Sequence, residues 1–231
     1  MTRRSTSLLL PAAALSAALT IAADLLGFAQ LFFVLKPLTT LLIIGWAWPR
    51  GADEPARRRW LRVGLVLSLA GDIALLWPER GFVPGLVAFL LAHLAYIVAF
   101  TRGLRLAAKP LPFVAYALLA GVILSQLWPG VPAPLRAPVL VYVVALACMA
   151  AQAAAVWLAA RGGPAEPWAR RAAIGGALFM ASDATLAVNK FAIVLPAASL
   201  WILATYWLAQ VFIAGSLRLP HISPEENVQR R

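Results

Sequence analysis

Long, continuous runs of apolar residues dominate the hydropathy pattern of this chain, and short breaks rich in Gly, Pro, Trp or charged residues separate them. A helix needs about 20 apolar residues to cross a bilayer, and the runs have that length. They lack the alternation that is typical of membrane-spanning strands. The pattern predicts eight membrane-spanning helices at residues 8–28, 30–48, 61–77, 83–101, 111–128, 138–158, 171–189 and 196–216. We therefore expect an all-α integral membrane bundle that forms a single domain over residues 1–231.

The overall composition supports this prediction. Hydrophobic residues make up 62% of the 231 residues, whereas charged residues make up 13%. A soluble domain cannot bury that much apolar surface, so the composition excludes an ordinary soluble enzyme.

The net charge of +11 is distributed unevenly along the chain. Most of the 20 Lys and Arg residues lie before the first predicted span, in the loops after the second, fourth and sixth spans, and in the tail at residues 220–231. Positively charged segments stay on the cytoplasmic side of a membrane. The charge pattern therefore predicts that both termini and the polar tail are cytoplasmic, and it argues against a nucleic-acid site.

The N-terminal segment also has features of a secretory signal. The alternating charge pattern requires it as a span, so we expect an uncleaved first helix. A high content of Ala and Arg is typical of a GC-rich bacterial source, which predicts the bacterial inner membrane. The single cysteine, Cys148, excludes a disulfide framework and a cysteine metal site.

Polar side chains in or at the end of predicted spans include Lys36, Asp72, Asp183, Asn189 and Lys190. Because the spans alternate in direction, all five fall in the outer half of the membrane. An ionised carboxylate in hydrocarbon costs at least ~2.5–3.5 kcal/mol, which makes Asp72 and Asp183 candidate catalytic residues. The shared depth predicts a polar pocket in the outer half of the membrane, roofed by short loops and open sideways to lipid.

Further polar residues share a helix face in other spans: His93 with Tyr96 in the fourth, and Tyr206 with Gln210 in the eighth. The candidate substrate-binding residues are Lys36, His93, Tyr96, Ser182, Asn189, Lys190, Tyr206 and Gln210. The few polar residues of the fifth and sixth spans, including Tyr116, Tyr142 and Gln152, are assigned to the scaffold. The chain has two histidines, His93 and His221, which excludes a zinc site built from several histidines. We expect no metal and no cofactor.

Two carboxylates that face one low-dielectric cavity do not both ionise easily, so one remains a proton donor beside a carboxylate. A nearby lysine, Lys36 or Lys190, keeps the second aspartate ionised. This division of roles suits acid-assisted cleavage through an oxocarbenium-like state, as paired carboxylates perform it in glycosidases.

Four segments extend the interpretation: LKPLTTLLI, SLAGDIALLWP, GLVAFLLAHLAYIVAF and SDATLAVNKF. Their order and spacing resemble the YhhN family, which includes the eukaryotic TMEM86 lysoplasmalogenases, and the resemblance covers essentially all eight spans. It implies hydrolysis of the vinyl ether bond of lysoplasmalogens to a fatty aldehyde and glycerophosphoethanolamine or glycerophosphocholine. The two intramembrane aspartates of the family match Asp72 and Asp183. The partners that it implies are a lysophospholipid substrate and membrane lipids.

Two other functions fit the same polar residues. A proton-coupled transporter also uses buried Asp and Lys, although such carriers tend to have inverted repeats and a site at the midplane. A non-catalytic lipid-binding or assembly protein is the third alternative. The sequence leaves the oligomeric state open, and it favours Asp183 only slightly over Asp72 as the acid.

Overall fold

A computed structural model describes residues 3–77 and 79–219 of the chain. These residues form eight α-helices, a single 3₁₀ turn at Trp128–Gly130, and no strand. The helices are α1 (Arg3–Leu25), α2 (Ala29–Ala47), α3 (Pro55–Ala74), α4 (Phe82–Phe100), α5 (Pro110–Leu127), α6 (Ala133–Ala160), α7 (Glu166–Phe191) and α8 (Ala198–Ala214). The predicted all-α architecture is confirmed, and the tail at 220–231 lies outside the described residues.

Each predicted span overlaps one helix, but the predicted ends differ from the observed ones. α3 begins at Pro55 rather than at residue 61, and α7 begins at Glu166 rather than at residue 171. Both helices have a proline in their first turn. Proline is tolerated there because N–H groups in the first turn make no hydrogen bond within the helix. α1 ends at Leu25 because Gly27 adopts a φ of +77°, a left-handed conformation that terminates helices.

Six of the helices, α1, α2, α4, α5, α6 and α7, are long and apolar enough to cross a membrane. α8 is apolar but has 17 residues, and α3 carries four arginines in its N-terminal half. The chain is therefore a multi-pass membrane protein. The number of eight crossings and the cytoplasmic termini stay predictions.

The helices pack mostly against their neighbours along the chain, and two exceptions close the bundle. α4 packs against α6, and α8 packs against α1, α2 and α3. This arrangement brings α3 and α7 to the same interior space, although the two helices are far apart in the sequence.

Two glycines allow α3 to lie close to α4. A Cβ atom on Gly64 would come within 2.2 Å of the Tyr96 ring, and one on Gly71 would come within 2.5 Å of the Phe89 ring. Both aromatic rings therefore pack directly on the backbone of α3, and Gly71 precedes Asp72. The close contact fixes the depth and direction of the Asp72 side chain.

Aromatic rings form the centre of the bundle. Phe179 makes edge-to-face contacts with Phe89, His93, Tyr96 and Tyr206, at centroid distances between 4.7 and 6.5 Å. Such contacts add about 0.5–1.5 kcal/mol per pair beyond the burial of apolar area. The outer surface is also apolar, as expected for helices that face lipid.

Candidate active site

A cavity of about 480 Å³ lies inside the bundle, and residues from α2 to α8 line it. Both candidate catalytic residues, Asp72 from α3 and Asp183 from α7, contribute to its wall. The other predicted residues in the wall are Lys36, Ser182, Asn189, Lys190 and Tyr206. Most of the remaining lining side chains are Leu, Ile, Val, Phe, Ala and Met. The cavity is thus an apolar chamber with a few polar groups, as binding sites for amphiphiles are.

Asp72 is 2% exposed, and three helices hold it in place. Its Oδ2 atom accepts hydrogen bonds from the Thr40 hydroxyl at 2.6 Å and from the Tyr206 hydroxyl at 2.8 Å. The Trp207 Nε1–H group donates to the Thr40 Oγ1 atom at 3.1 Å. Because an indole N–H only donates, the Thr40 proton is left to point at Asp72. Two oriented hydroxyl donors stabilise the carboxylate form of this side chain.

Lys36 contributes the positive charge near Asp72. Its residue is 6% exposed, it lines the cavity, and it attracts the Asp72 carboxylate electrostatically. Its Nζ atom also lies 5.7 Å from the centroid of the Phe32 ring. A buried ammonium group requires a nearby anion, and Asp72 is suited to that role.

Asp183 has different surroundings. The Tyr142 hydroxyl donates a short hydrogen bond to its Oδ2 atom. The His93 Nε2 atom lies 4.0 Å from the same oxygen, which is too far for a direct hydrogen bond. The Asp183 side chain is 13% exposed, so it is more accessible than Asp72.

Lys190 lies at the exposed end of the cavity lining. Its Nζ atom is 4.3 Å from the centroid of the Phe82 ring, and its residue is exposed. An exposed ammonium group that lines an apolar chamber is suited to contact an anionic group of a bound amphiphile.

Ser182 and Asn189 line the cavity, but their hydrogen bonds go to the backbone. The Ser182 hydroxyl donates to the Ile202 carbonyl at 3.0 Å, and the Asn189 Oδ1 atom accepts the Leu195 N–H at 2.9 Å. The first bond joins α7 to α8, and the second joins α7 to the loop that follows it. Both therefore hold the wall of the cavity in shape.

Three of the predicted substrate-binding residues, His93, Tyr96 and Gln210, lie outside the cavity wall. Each is fully buried behind it. The Tyr96 hydroxyl donates to the Gln210 Oε1 atom at 2.7 Å. Neither ring nitrogen of His93 has a hydrogen-bond partner among residues 3–77 and 79–219. These side chains are buried outside the cavity wall, and their assignment to substrate binding stays a prediction.

Sequence reasoning missed two side chains that contact the aspartates. The assignment of Tyr142 to the scaffold was wrong, since its hydroxyl binds Asp183 and it lines the cavity. The position of Thr40 could have indicated its role, because it lies one helical turn after Lys36 on the same face of α2.

In the described part of the chain, no group of three or more His, Cys, Asp or Glu side chains could hold a metal ion. The prediction of a metal-free site stays a prediction.

A model of the YhhN family matches residues 31–217, which contain both aspartates and the whole cavity wall. This chain belongs to the YhhN family. The resemblance that the four sequence segments predicted is thereby confirmed.

Relatives in the YhhN family carry a common name. The chain is 37% identical over 159 residues to the lysoplasmalogenase TMEM86A of Homo sapiens, a match that covers 67% of this chain and 63% of the relative. It is 35% identical over 190 residues to the lysoplasmalogenase TMEM86B of Sus scrofa, covering 81% and 75%. A lysoplasmalogenase of Mycobacterium bovis is 34% identical over 165 residues, covering 68% and 60%. The chain thus spans less than two thirds of the length of the first and third of these relatives. No solved structure matches it.

Proposed function

We propose that this YhhN-family protein is a lysoplasmalogenase-like hydrolase that cleaves the vinyl ether bond of a lysoplasmalogen. The products are a fatty aldehyde and glycerophosphoethanolamine or glycerophosphocholine. The observation that carries the proposal is the position of Asp72 and Asp183 in the wall of one largely apolar cavity. The names of the relatives support the same substrate class.

The reaction requires acid catalysis. A vinyl ether accepts a proton from the acid at its outer alkene carbon, which gives an oxocarbenium ion. Water adds to this ion and returns one proton to the deprotonated acid, so that a neutral hemiacetal forms. The bond between the hemiacetal carbon and the glycerol oxygen then breaks, the hydroxyl proton moves to the glycerol oxygen, and the aldehyde is released. The protein must donate one proton, stabilise one cation and orient one water molecule.

The surroundings of the aspartates favour Asp183 as the acid. Asp72 accepts two hydroxyl hydrogen bonds on one oxygen and lies near the Lys36 ammonium, and both features hold it as a carboxylate. Asp183 receives one hydroxyl hydrogen bond and is more exposed to the cavity. In this scheme Asp183 delivers the proton, while Asp72 stabilises the oxocarbenium ion and orients water.

The lysines complete the proposed site. Lys190 binds the phosphate group of the lysophospholipid at the mouth of the cavity, and the apolar wall accommodates the alkenyl chain. Lys36 keeps Asp72 ionised. Ser182 and Asn189 hold α7, and His93, Tyr96 and Gln210 support the wall from behind. The site uses no metal and no cofactor. We place the protein in the bacterial inner membrane, with both termini in the cytoplasm.

The purified protein tests the proposal when it is incubated with two lipids that differ in one bond. A lysoplasmalogen should release aldehyde, detected by mass spectrometry, whereas the matched saturated 1-alkyl lysophospholipid should release none. If the protein cleaves neither lipid, the proposal is contradicted.

The comparisons do not favour the transporter alternative, since the relatives reported above are named as lysoplasmalogenases.

A further inference from the structure

Arg50 follows α2 at the end of the bundle opposite to Lys190, and it is 8% exposed. Its guanidinium stacks on the Trp46 ring, with Cζ 3.8 Å from the ring centroid. Its Nε atom is buried and has no hydrogen-bond partner within residues 3–77 and 79–219. Stacking on an indole stabilises a cation but leaves its N–H donors unsatisfied.

A second guanidinium lies nearby. Burial, together with repulsion by Arg171, lowers the pKa of Arg50 to about 10. The Nη1 atom of Arg171 donates to the Gly215 carbonyl at 3.2 Å, and its guanidinium stacks on Trp168. The N–H group next to Arg50, that of Gly51, donates to the Arg218 carbonyl at 2.7 Å. A Cβ atom on Gly215 would lie 3.4 Å from the Trp46 ring, on which Arg50 stacks, and Arg171 donates to the carbonyl of the same glycine. The two arginines thus converge beside the C-terminal end of α8.

The C-terminal end of a helix attracts cations, which accounts for part of this arrangement. It does not provide a full negative charge. Two acidic side chains close in sequence to these arginines have other contacts: Glu54 forms an ion pair with Arg57 at 2.9 Å, and Glu166 accepts the Gly162 N–H at 2.8 Å. A third, Asp53, is exposed. In the described part of the chain, neither Arg50 nor Arg171 forms a salt bridge.

We propose that Arg50 and Arg171 bind the phosphate group of an anionic glycerophospholipid. Planar guanidinium groups match phosphate oxygens well. The stacked rings of Trp46 and Trp168 place the pair at the level where aromatic side chains meet lipid headgroups. Basic pockets between helices on the cytoplasmic side are a recurring type of headgroup site, and this is the end of the bundle that the charge pattern predicts to be cytoplasmic.

The proposed site is separate from the catalytic cavity, since neither arginine lines that cavity. The inference therefore does not rest on the proposed hydrolysis. It assigns to this face of the bundle a bound lipid that stabilises the contacts between α2, α7 and α8.

Thermal unfolding of the purified protein in a neutral detergent tests the site. Phosphatidylglycerol should raise the melting temperature more than phosphatidylcholine does, because a ligand that binds only the folded state stabilises it. Arg50→Gln and Arg171→Gln should each raise the phosphatidylglycerol concentration needed for this effect by about tenfold or more, as expected for a lost hydrogen bond to a charged group. Arg59→Gln removes the same charge from an exposed position of α3 and should behave like the wild type.

Three results would overturn the inference. The first is an equal response of the wild type, Arg50→Gln and Arg171→Gln to phosphatidylglycerol. The second is full stabilisation by inorganic phosphate with no further effect of the lipid. The third concerns Glu225 and Glu226, which lie outside the described residues. If Arg50→Gln no longer changes the phosphatidylglycerol concentration needed once both glutamates are replaced with Gln, the tail carboxylates are the partner of Arg50. Should Arg50→Gln not fold, Arg171→Gln and the charge-conserving Arg50→Lys decide the question, and both should need a higher phosphatidylglycerol concentration than the wild type.

Discussion

The Tyr206 hydroxyl of α8 donates a hydrogen bond of 2.8 Å to the Asp72 carboxylate of α3. The two residues are 134 positions apart in the sequence. Together with Thr40 of α2, this bond joins three helices at one carboxylate oxygen. The position of Asp72 therefore depends on the assembly of α2, α3 and α8.

Tyr206→Phe should reduce aldehyde release about tenfold and leave some activity. The loss of one hydrogen bond to a charged group removes roughly 1.5–3 kcal/mol, while the Thr40 bond to Asp72 remains. The measurement is kcat with a lysoplasmalogen substrate. Tyr116→Phe is the matched control, because Tyr116 lies outside the catalytic cavity. An unchanged rate for Tyr206→Phe would show that this bond does not tune Asp72.

Thr40→Val should lower the free energy of unfolding by about 1–3 kcal/mol, because it leaves the Trp207 N–H unpaired in a buried site. It should also lower the rate of aldehyde release, because it removes a hydrogen bond to Asp72. Denaturation in detergent measures the loss. Thr185→Val is the control, since the Thr185 hydroxyl bonds only to a carbonyl of its own helix. Equal stability of the two variants would argue against an oriented chain from Trp207 to Asp72.

Tyr142→Phe should lower kcat by about tenfold with little change in KM. Tyr142 contacts the proposed acid but does not hold the headgroup, so its loss affects proton transfer more than substrate binding. Steady-state kinetics separate the two quantities. A rise in KM at constant kcat would instead assign Tyr142 to substrate binding.

The two lysines should affect different kinetic quantities. Lys190→Met should raise KM for a lysoplasmalogen because Lys190 lies exposed at the cavity end, whereas Lys36→Met should lower kcat because Lys36 is buried near Asp72. Arg80→Gln, which removes an exposed charge outside the cavity, is the control. The opposite pattern would exchange the roles of the two lysines.

The apolar runs predicted all eight helices because a continuous apolar run of about 20 residues, without strand-like alternation, favours a helix. The helix ends were less predictable. Pro55 and Pro167 looked like loop residues, but proline is also favoured in the first turn of a helix.

The importance of the two aspartates could be predicted because a carboxylate inside an apolar run is energetically costly. Such residues are therefore rare and usually have a function. Their partners were harder to find. Tyr142 and Trp207 are amphipathic side chains that are common in membrane helices, and nothing local to them indicates a hydrogen bond to another helix. His93, Tyr96 and Gln210 were predicted to bind substrate, but they are buried outside the cavity wall. The sequence does not specify whether an inward residue reaches the cavity or packs behind it.

The most direct measurement of the central claim is aldehyde release by Asp72→Asn and Asp183→Asn in detergent or proteoliposomes. Both changes preserve the size of the side chain, so the proteins should remain folded, and each should lose at least about 10²-fold in rate because general acid catalysis contributes that much or more. Asp53→Asn makes the same change at an exposed carboxylate outside the cavity and should keep full activity. Near wild-type aldehyde release by a folded Asp72→Asn or Asp183→Asn variant would contradict the two-aspartate account.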